Sequence, residues 1–256
     1  FAFVPVDNEL VASVEISDVE IQKYVIEIDL DLNMGYYQFE LVEAGIEEPL
    51  GSGRLIVTPK ACYKQPELEQ GKKMWGPSVQ LYCVKSKHNW GVGDFTDLKY
   101  LVDKIADRGA DFVGLNPIHA LYPNNADACS PYSPSSRRWL NVIYIDVEQV
   151  EGFADCAEVQ TLIATEDFKQ QLQAAKDTSH VDYGSVMDMK LRALKPLYQY
   201  FKNNHIAKDT DVAKAFAEFK DQGGDSLNQL AVYDAIQDNF KAEGKYIGDN
   251  WGWPVW

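Results

Sequence analysis

Cysteine and histidine are scarce in this sequence, and the few present are scattered. Its 256 residues include four of each, with no C-x-x-C motif and no two histidines three or four positions apart. A metal centre needs several such ligands at short spacing, so we expect no metal. The cysteines are Cys62, Cys83, Cys129 and Cys156. Without a secretory signal, widely spaced cysteines are typical of free thiols in a reducing cytoplasm, where we expect this protein.

Long apolar runs and positive charge are also lacking. No segment approaches the roughly 18 apolar residues that span a bilayer. The 24 lysines and arginines are outnumbered by 39 aspartates and glutamates, which gives a net charge of −15. Such a charge repels phosphate backbones and anionic lipid, so we expect neither a nucleic-acid partner nor a membrane partner.

The two ends of the sequence are unusual for a complete chain. It begins without methionine, and the last six residues, which end at Trp256, hold three of the six tryptophans. Natural termini are usually polar and frayed. We therefore interpret the chain as a piece of a longer protein.

Apolar and polar side chains alternate at 24–32 and 37–41, and short strands at this spacing predict an all-β, sandwich-like module over residues 1–73. The predicted elements are a strand at 24–32, a turn at 33–35, a strand at 37–41, a turn at 51–53 and a strand at 54–58. The first two strands are close enough in sequence to form a hairpin. The polar segment 66–76 is expected to be a linker.

Residues 74–150 have a strand–helix–strand pattern. The predicted elements are strands at 78–84, 111–115 and 142–147 and a helix at 95–105. Asp94 is a suitable N-cap for the helix, with Asp97 in its first turn and Gly109 near its end. Such a βαβ unit favours a parallel sheet.

From residue 157 onward the apolar spacing is helical. The predicted helices lie around 167–176, 187–201, 212–219 and 227–240. Pro196 should kink or divide the second helix, and Gly223–Gly224 should separate the last two.

The segment 116–141 has no periodicity and contains four prolines but no glycine. A loop this long is usually functional, and its composition predicts a stiff, ordered one. Its tyrosines, tryptophan and asparagines suit a sugar, because aromatic faces cover C–H faces of pyranose rings and amides bind hydroxyls. An interface loop has the same composition, so both interpretations stay open. His119 either contacts a ligand or holds the loop.

Other catalytic chemistry finds little support. Gly91 and Gly93 precede a helix, but the third glycine of a dinucleotide motif is replaced by Thr96, so a tight turn into a capped helix is favoured over a cofactor site. There is no G-x-S-x-G motif and no convincing pair of catalytic carboxylates.

Five segments of the central region form a series. They are SVQLY (78–82), NWGVGD (89–94), GLNPIHALYP (114–123), SPYSPSSRRW (130–139) and LNVIYID (140–146). In this order they resemble the bacterial 4-α-glucanotransferases, also called amylomaltases, of glycoside hydrolase family 77. The β region resembles an N-terminal module of longer members, and the helical region resembles the family's helical subdomain.

The resemblance implies a multi-domain α/β protein with a truncated barrel. Residues 1–73 would form the β module, residues 74–150 the first βα units of a (β/α)₈ barrel with a substrate loop at 116–141, and residues 151–256 the helical subdomain. The implied activity transfers α-1,4-glucan segments between malto-oligosaccharides by retaining double displacement, without a cofactor.

The family's catalytic segments, Arg-x-Asp-His and Glu-Asp-Leu-Gly, are absent, as is its third aspartate. We therefore expect this chain alone to be inactive, with the nucleophile aspartate, the acid/base glutamate and the third aspartate downstream of Trp256. By resemblance, Tyr132 stacks on the donor sugar and Ser130 lies beside it. Candidates for loop support or subsite contact are Asn116, His119 and Asn141. A non-catalytic glucan-binding or scaffolding module and a hydrolytic α-amylase-like relative remain alternatives.

Overall fold

The structure, a computed structural model, describes residues 8–26, 31–42, 45–46, 48–125 and 127–245. Contacts between Cα atoms divide the chain into two compact units, residues 1–72 and 73–256. The middle of the strand predicted at 24–32 lies outside the described residues, as does the tryptophan-rich segment 251–256. The catalytic carboxylates are expected downstream of Trp256, which also lies outside the described residues. Their location therefore stays a prediction.

The first unit contains two antiparallel hairpins and one turn of helix. Strand β1 (Asn8–Ile16) pairs with β2 (Val19–Ile26), and β3 (Gly35–Leu41) pairs with β4 (Gly51–Val57). Helix α1 (Pro66–Glu69) occupies part of the predicted linker. None of the side chains described between residues 10 and 72 is buried, so the sandwich core stays a prediction.

Strand pairing in this unit differs from the predicted hairpin. Among the described residues, β3 pairs with β4 rather than with the strand before it, and the turn predicted at 51–53 is the start of β4. Phe39 lies opposite Gly53, and a β-carbon on Gly53 would lie 2.6 Å from Cζ of that ring. The ring therefore covers the glycine and supplies the apolar surface that this part of β4 lacks.

A parallel βαβ unit opens the second compact unit, as predicted. Strand β5 (Ser78–Val79) pairs with β6 (Gly114–Leu115), and α2 (Phe95–Ala106) lies between them in sequence. Both strands are shorter than predicted. The chain leaves β5 for a 3₁₀ turn at Leu81–Cys83, because the N–H of Leu81 donates to a side chain instead of a strand.

Helix α2 begins at a capping box. Asp94 Oδ1 accepts from the N–H groups of Thr96 and Asp97 at 3.0 Å each, and Asp97 Oδ2 accepts from the N–H of Asp94 at 3.2 Å. Just before the cap, a β-carbon on Gly93 would lie 2.2 Å from the carbonyl oxygen of Leu81. Two backbone segments approach each other there, so residues 91–94 form the tight turn into a capped helix that the sequence favours.

The structure of residues 116–149 differs from the prediction in two places. The predicted irregular loop includes an antiparallel pair, β7 (His119–Ala120) and β8 (Ser136–Leu140). The strand predicted at 142–147 is wrong, because Asn141 and Asp146 cap two 3₁₀ turns there. Their Oδ1 atoms accept from the N–H groups two residues on, at 3.0 and 3.1 Å. Such local side-chain bonds compete with strand formation.

The remainder of the described chain is helical. The helices are α3 (Ala157–Ala164), α4 (Glu166–Asp177), α5 (Tyr183–Asn204) and α6 (Asp211–Ala242). Helix α5 runs through Pro196 undivided, so of the two predicted effects the division is wrong and the kink stays a prediction. Helix α6 breaks at Gly224, with φ 50° and ψ −146°, a conformation almost restricted to glycine. This break confirms the predicted boundary at residues 223–224.

The core of the second unit joins the loop before α2 to helices α3–α5. The Trp90 ring meets Phe168 edge to face at 5.1 Å between centroids, and its Nε1 donates to Glu148 Oε1 at 3.0 Å. The NWGVGD segment is therefore held by packing against α4. No described helix combines the length and apolar character needed to cross a membrane.

Candidate functional site

An open cleft of about 640 Å³ lies at the carboxyl ends of the parallel strands β5 and β6. Open parallel α/β sheets bind their ligands at this end. The residues that line the cleft include Ser78, Gln80, Cys83, Leu115, Asn116 and Tyr132. Among the described residues, none that lines the cleft is acidic or basic, so the wall they form is neutral.

Tyr132 is presented to the cleft by a β-turn. The N–H of Ser133 donates to the carbonyl oxygen of Ser130 at 3.1 Å, which places Pro131 and Tyr132 at the two central positions. The Tyr132 side chain is 70% exposed. An exposed ring at the edge of a neutral cleft offers a flat apolar face with a polar hydroxyl, which suits a sugar ring. Ser130, exposed at the start of the same turn, lies near this ring in sequence.

Asn116 lines the cleft, but its amide is already committed to the protein. Its Oδ1 accepts from the N–H of Leu81 at 2.8 Å, and its Nδ2 donates to the Pro117 carbonyl at 2.7 Å and to the Tyr144 hydroxyl at 3.2 Å. These bonds tie the end of β6 to the turn that follows β5. They favour support of the cleft floor over contact with a sugar.

Asn141 and His119 lie at the base of the β7–β8 hairpin. Asn141 is 5% exposed, caps the turn that follows it, and donates its N–H to Ile118 at 3.0 Å. His119 faces Leu140 across the ladder. Neither residue is among those that line the cleft. The structure thus brings Asn116 and Tyr132 together at the cleft and leaves these two as parts of the hairpin.

Gln80 and Cys83 are cleft residues that the sequence argument missed. The Cys83 thiol faces Gln80 Oε1 at 3.7 Å. Both follow the first strand of the parallel pair, and the rule that ligands bind beyond carboxyl ends of such strands could have found them.

Three further tyrosines, Tyr82, Tyr144 and Tyr183, do not line the cleft, but Tyr144 contacts the cleft residue Asn116. The Tyr82 and Tyr183 rings are 6.2 Å apart between centroids. Burial raises the pKa of Tyr183 far above its ordinary value, and the neighbouring Cys129 and Tyr82 add to the shift. Burial also raises the pKa of Tyr144, partly offset by its hydrogen bond from Asn116.

The described residues provide no alternative centre for metal chemistry. Within 8–26, 31–42, 45–46, 48–125 and 127–245, no three His, Cys, Asp or Glu side chains group closely enough to hold an ion. Asp94 caps a helix and Asp146 caps a 3₁₀ turn, each through its carboxylate oxygen Oδ1. What the cleft can do is bind a neutral, hydroxyl-rich ligand against an aromatic face.

Comparison with known proteins identifies the class to which this fold and cleft belong. The family model described as 4-alpha-glucanotransferase, glycoside hydrolase family 77, matches residues 79–256. The match covers most of the chain, so the chain belongs to the 4-α-glucanotransferase family.

Individual relatives agree with this family. The 4-alpha-glucanotransferase of Haemophilus influenzae is 37% identical over 225 residues, covering 88% of this chain and 32% of the relative. That of Mycobacterium tuberculosis is 31% identical over 232 residues, covering 88% of this chain and 29% of the relative. The crystal structure of amylomaltase from Corynebacterium glutamicum matches with a TM-score of 0.71 and 26% identity, covering 97% of this chain and 34% of that one. The chain spans about a third of the length of these relatives.

Proposed function

We propose that this chain supplies part of the donor-glucan site of a 4-α-glucanotransferase. The activity of the whole protein would transfer α-1,4-glucan segments between malto-oligosaccharides. The observation that carries the proposal is the exposed Tyr132 ring at a neutral cleft beyond the parallel strands β5 and β6. The ring would stack on the donor sugar, and Ser130 would bind one of its hydroxyls.

The proposal includes a layout for the chain. Strands β5 and β6 would be the first strands of a (β/α)₈ barrel formed by residues 74–150, with the substrate loop at 116–141. Residues 1–73 would form a β-sandwich module and residues 151–256 a helical subdomain. The parallel pairing of β5 with β6 and the amylomaltase neighbour support this layout.

The chemistry needs groups that this cleft wall does not carry. Retaining transfer requires a carboxylate nucleophile and a second carboxyl that acts first as acid and then as base. An acceptor hydroxyl of another glucan then takes the place of water. No carboxylate of the described residues lines the cleft, and the chain spans about a third of the length of its relatives. We therefore place these groups in the parent protein downstream of Trp256. This chain alone would bind glucan without turnover.

The experiment is maltotriose disproportionation, carried out on this chain and on a parent chain extended beyond Trp256 to the length of its relatives. We expect glucose and longer maltodextrins from the extended chain only. Products from this chain alone would show that a catalytic pair within it had been missed. Glucose and maltose without longer products would show a hydrolase, and no products from either chain would favour a binding module. The four free thiols also support a cytoplasmic location, which we propose with the activity.

A further inference from the structure

The β7–β8 hairpin, which carries Tyr132, is attached to α6 through its second arm, the strand β8. Trp139, in β8, donates from Nε1 to Ser226 Oγ at 3.2 Å. Its ring meets Phe219 edge to face, with centroids 5.8 Å apart. Phe219 precedes the helix break at Gly224 and Ser226 follows it, so this one side chain contacts both halves of the helix.

The first arm of the hairpin, residues 119–125, is attached to the second half of α6. Asn124, 8% exposed, donates from Nδ2 to the carbonyl oxygen of Asp234 at 3.2 Å. Its own carbonyl oxygen accepts from Lys241 Nζ at 3.3 Å. The rings of Tyr122 and Tyr233 meet edge to face at 6.4 Å.

The two arms are also tied to each other. Ser135 Oγ donates to the carbonyl oxygens of Ala120 and Leu121, at 3.1 and 2.7 Å. The β-turn with Tyr132 lies between these ties, and its side chain is the exposed part. The placement of the ring therefore depends on where α6 holds residues 124 and 139.

We propose that α6 positions Tyr132 for the sugar, with Trp139 and Asn124 as the positioning residues. This inference rests on the proposed function, because it assumes that the ring binds glucan. A ring held in place before binding loses less conformational freedom when the ligand arrives. Releasing one attachment should lower glucan affinity about 3- to 10-fold, as expected for one side chain that must be ordered on binding.

The first test measures the position of the loop without any glucan. Cys129 is half-buried three residues before Tyr132, whereas Cys156 is buried in the core. The rate at which a thiol reagent labels each cysteine, followed by mass spectrometry, separates local loop opening from global unfolding. The variants are Ser226→Ala and Asn124→Ala, with Ser226→Thr to restore the hydroxyl and the exposed Asn228→Ala as control on the same helix.

We expect both alanine variants to label several-fold faster at Cys129 and at the wild-type rate at Cys156. Ser226→Thr and Asn228→Ala should behave like the wild type. Unchanged labelling of Cys129 in both alanine variants would overturn the inference. So would a parallel rise at both cysteines, because the contacts would then serve the stability of the whole unit.

The second test measures maltohexaose affinity of this chain by calorimetry, with Tyr132→Ala as reference. We expect weaker binding in Tyr132→Ala, Ser226→Ala and Asn124→Ala. Unchanged affinity in Tyr132→Ala would contradict the proposed function itself. A loss in Tyr132→Ala without a loss in the two α6-contact variants would overturn the positioning role alone.

Discussion

The ammonium group of Lys190 donates a 2.7 Å hydrogen bond to the carbonyl oxygen of Ile145. The same group donates to Ile143 at 2.5 Å, and the side chain is 1% exposed. Burial lowers the pKa of Lys190 to about 8, while Asp94 and Asp146 favour its charged form. Helix α5 thus holds the segment that replaces the predicted strand at 142–147. This segment includes Tyr144, which contacts the cleft residue Asn116.

Replacing Lys190 by methionine should destabilise the second unit. The substitution would take the Lys190 donor away from the buried carbonyl oxygen of Ile143 and from the partly buried one of Ile145. An unsatisfied buried group costs about 1–3 kcal/mol. We expect a loss of about 2–4 kcal/mol in the free energy of unfolding, measured by urea denaturation. Lys195→Met is the control, since its side chain is 70% exposed and makes only a surface ion pair with Asp238. Equal losses in both variants would contradict the role of Lys190.

Asp234 should make stability depend on acidity. Burial raises its pKa to about 6, and its Oδ1 has no hydrogen-bond partner among the described residues. Between the unfolded value of 3.8 and about 6 the folded state binds more protons, so the contribution of Asp234 to stability falls as pH rises through this window.

The variant Asp234→Asn cannot ionise and should lose that dependence. We expect it to be more stable than wild type at pH 7.5 by about 1–2 kcal/mol, a value reduced for partial exposure, and no more stable at pH 3.5. Thermal unfolding at a series of pH values measures the difference. If stability changed with pH in the same way in both proteins, the raised pKa of Asp234 would be contradicted.

The capping box at α2 can be tested by comparing two changes at one position. Asp94→Ala removes the acceptor for two backbone N–H groups and should cost about 1–2 kcal/mol. Asp94→Asn keeps an acceptor and, because burial raises the pKa of Asp94, removes a charge that is costly there. We therefore expect Asn to be tolerated better than Ala in urea unfolding. Exposed Asp103→Ala in the same helix controls for the loss of an acidic residue.

The thiols should report on the cleft. Cys62 and Cys83 are exposed and should react with a thiol reagent in the folded chain, whereas buried Cys156 should react only on unfolding. Because Cys83 lines the cleft, saturating maltohexaose should slow its labelling and leave Cys62 unchanged. Equal rates at Cys83 with and without sugar would contradict the location of the site.

Dithiothreitol should not change the melting temperature, since all four thiols are free.

Sequence predicted best those features that depend on neighbouring residues. The cap at Asp94 and the break at Gly224 depend only on residues a few positions away, and the sequence predicts both. The strand predicted at 142–147 failed because an apolar run fits several structures, and the side chains of Asn141 and Asp146 decide between them.

The site was harder to predict because its geometry is made by distant partners. The role of Asn116 depends on Leu81 and Tyr144, 35 and 28 positions away. Pairing of β3 with β4 depends on Phe39 covering a glycine across the ladder, which alternation alone does not reveal. The composition of the loop at 116–141 indicates that its tyrosines suit a sugar, but only the family resemblance distinguishes Tyr132 from the others.

The close approach at Gly93 limits which sequences can follow this backbone path. The oxygen of Leu81 occupies the volume that any larger side chain would need, so a library randomised at position 93 should return glycine alone. Gly91 and Gly93 resemble part of a nucleotide-binding motif in sequence. Glycine is needed at position 93, however, because the backbone of Leu81 leaves no room there for a side chain.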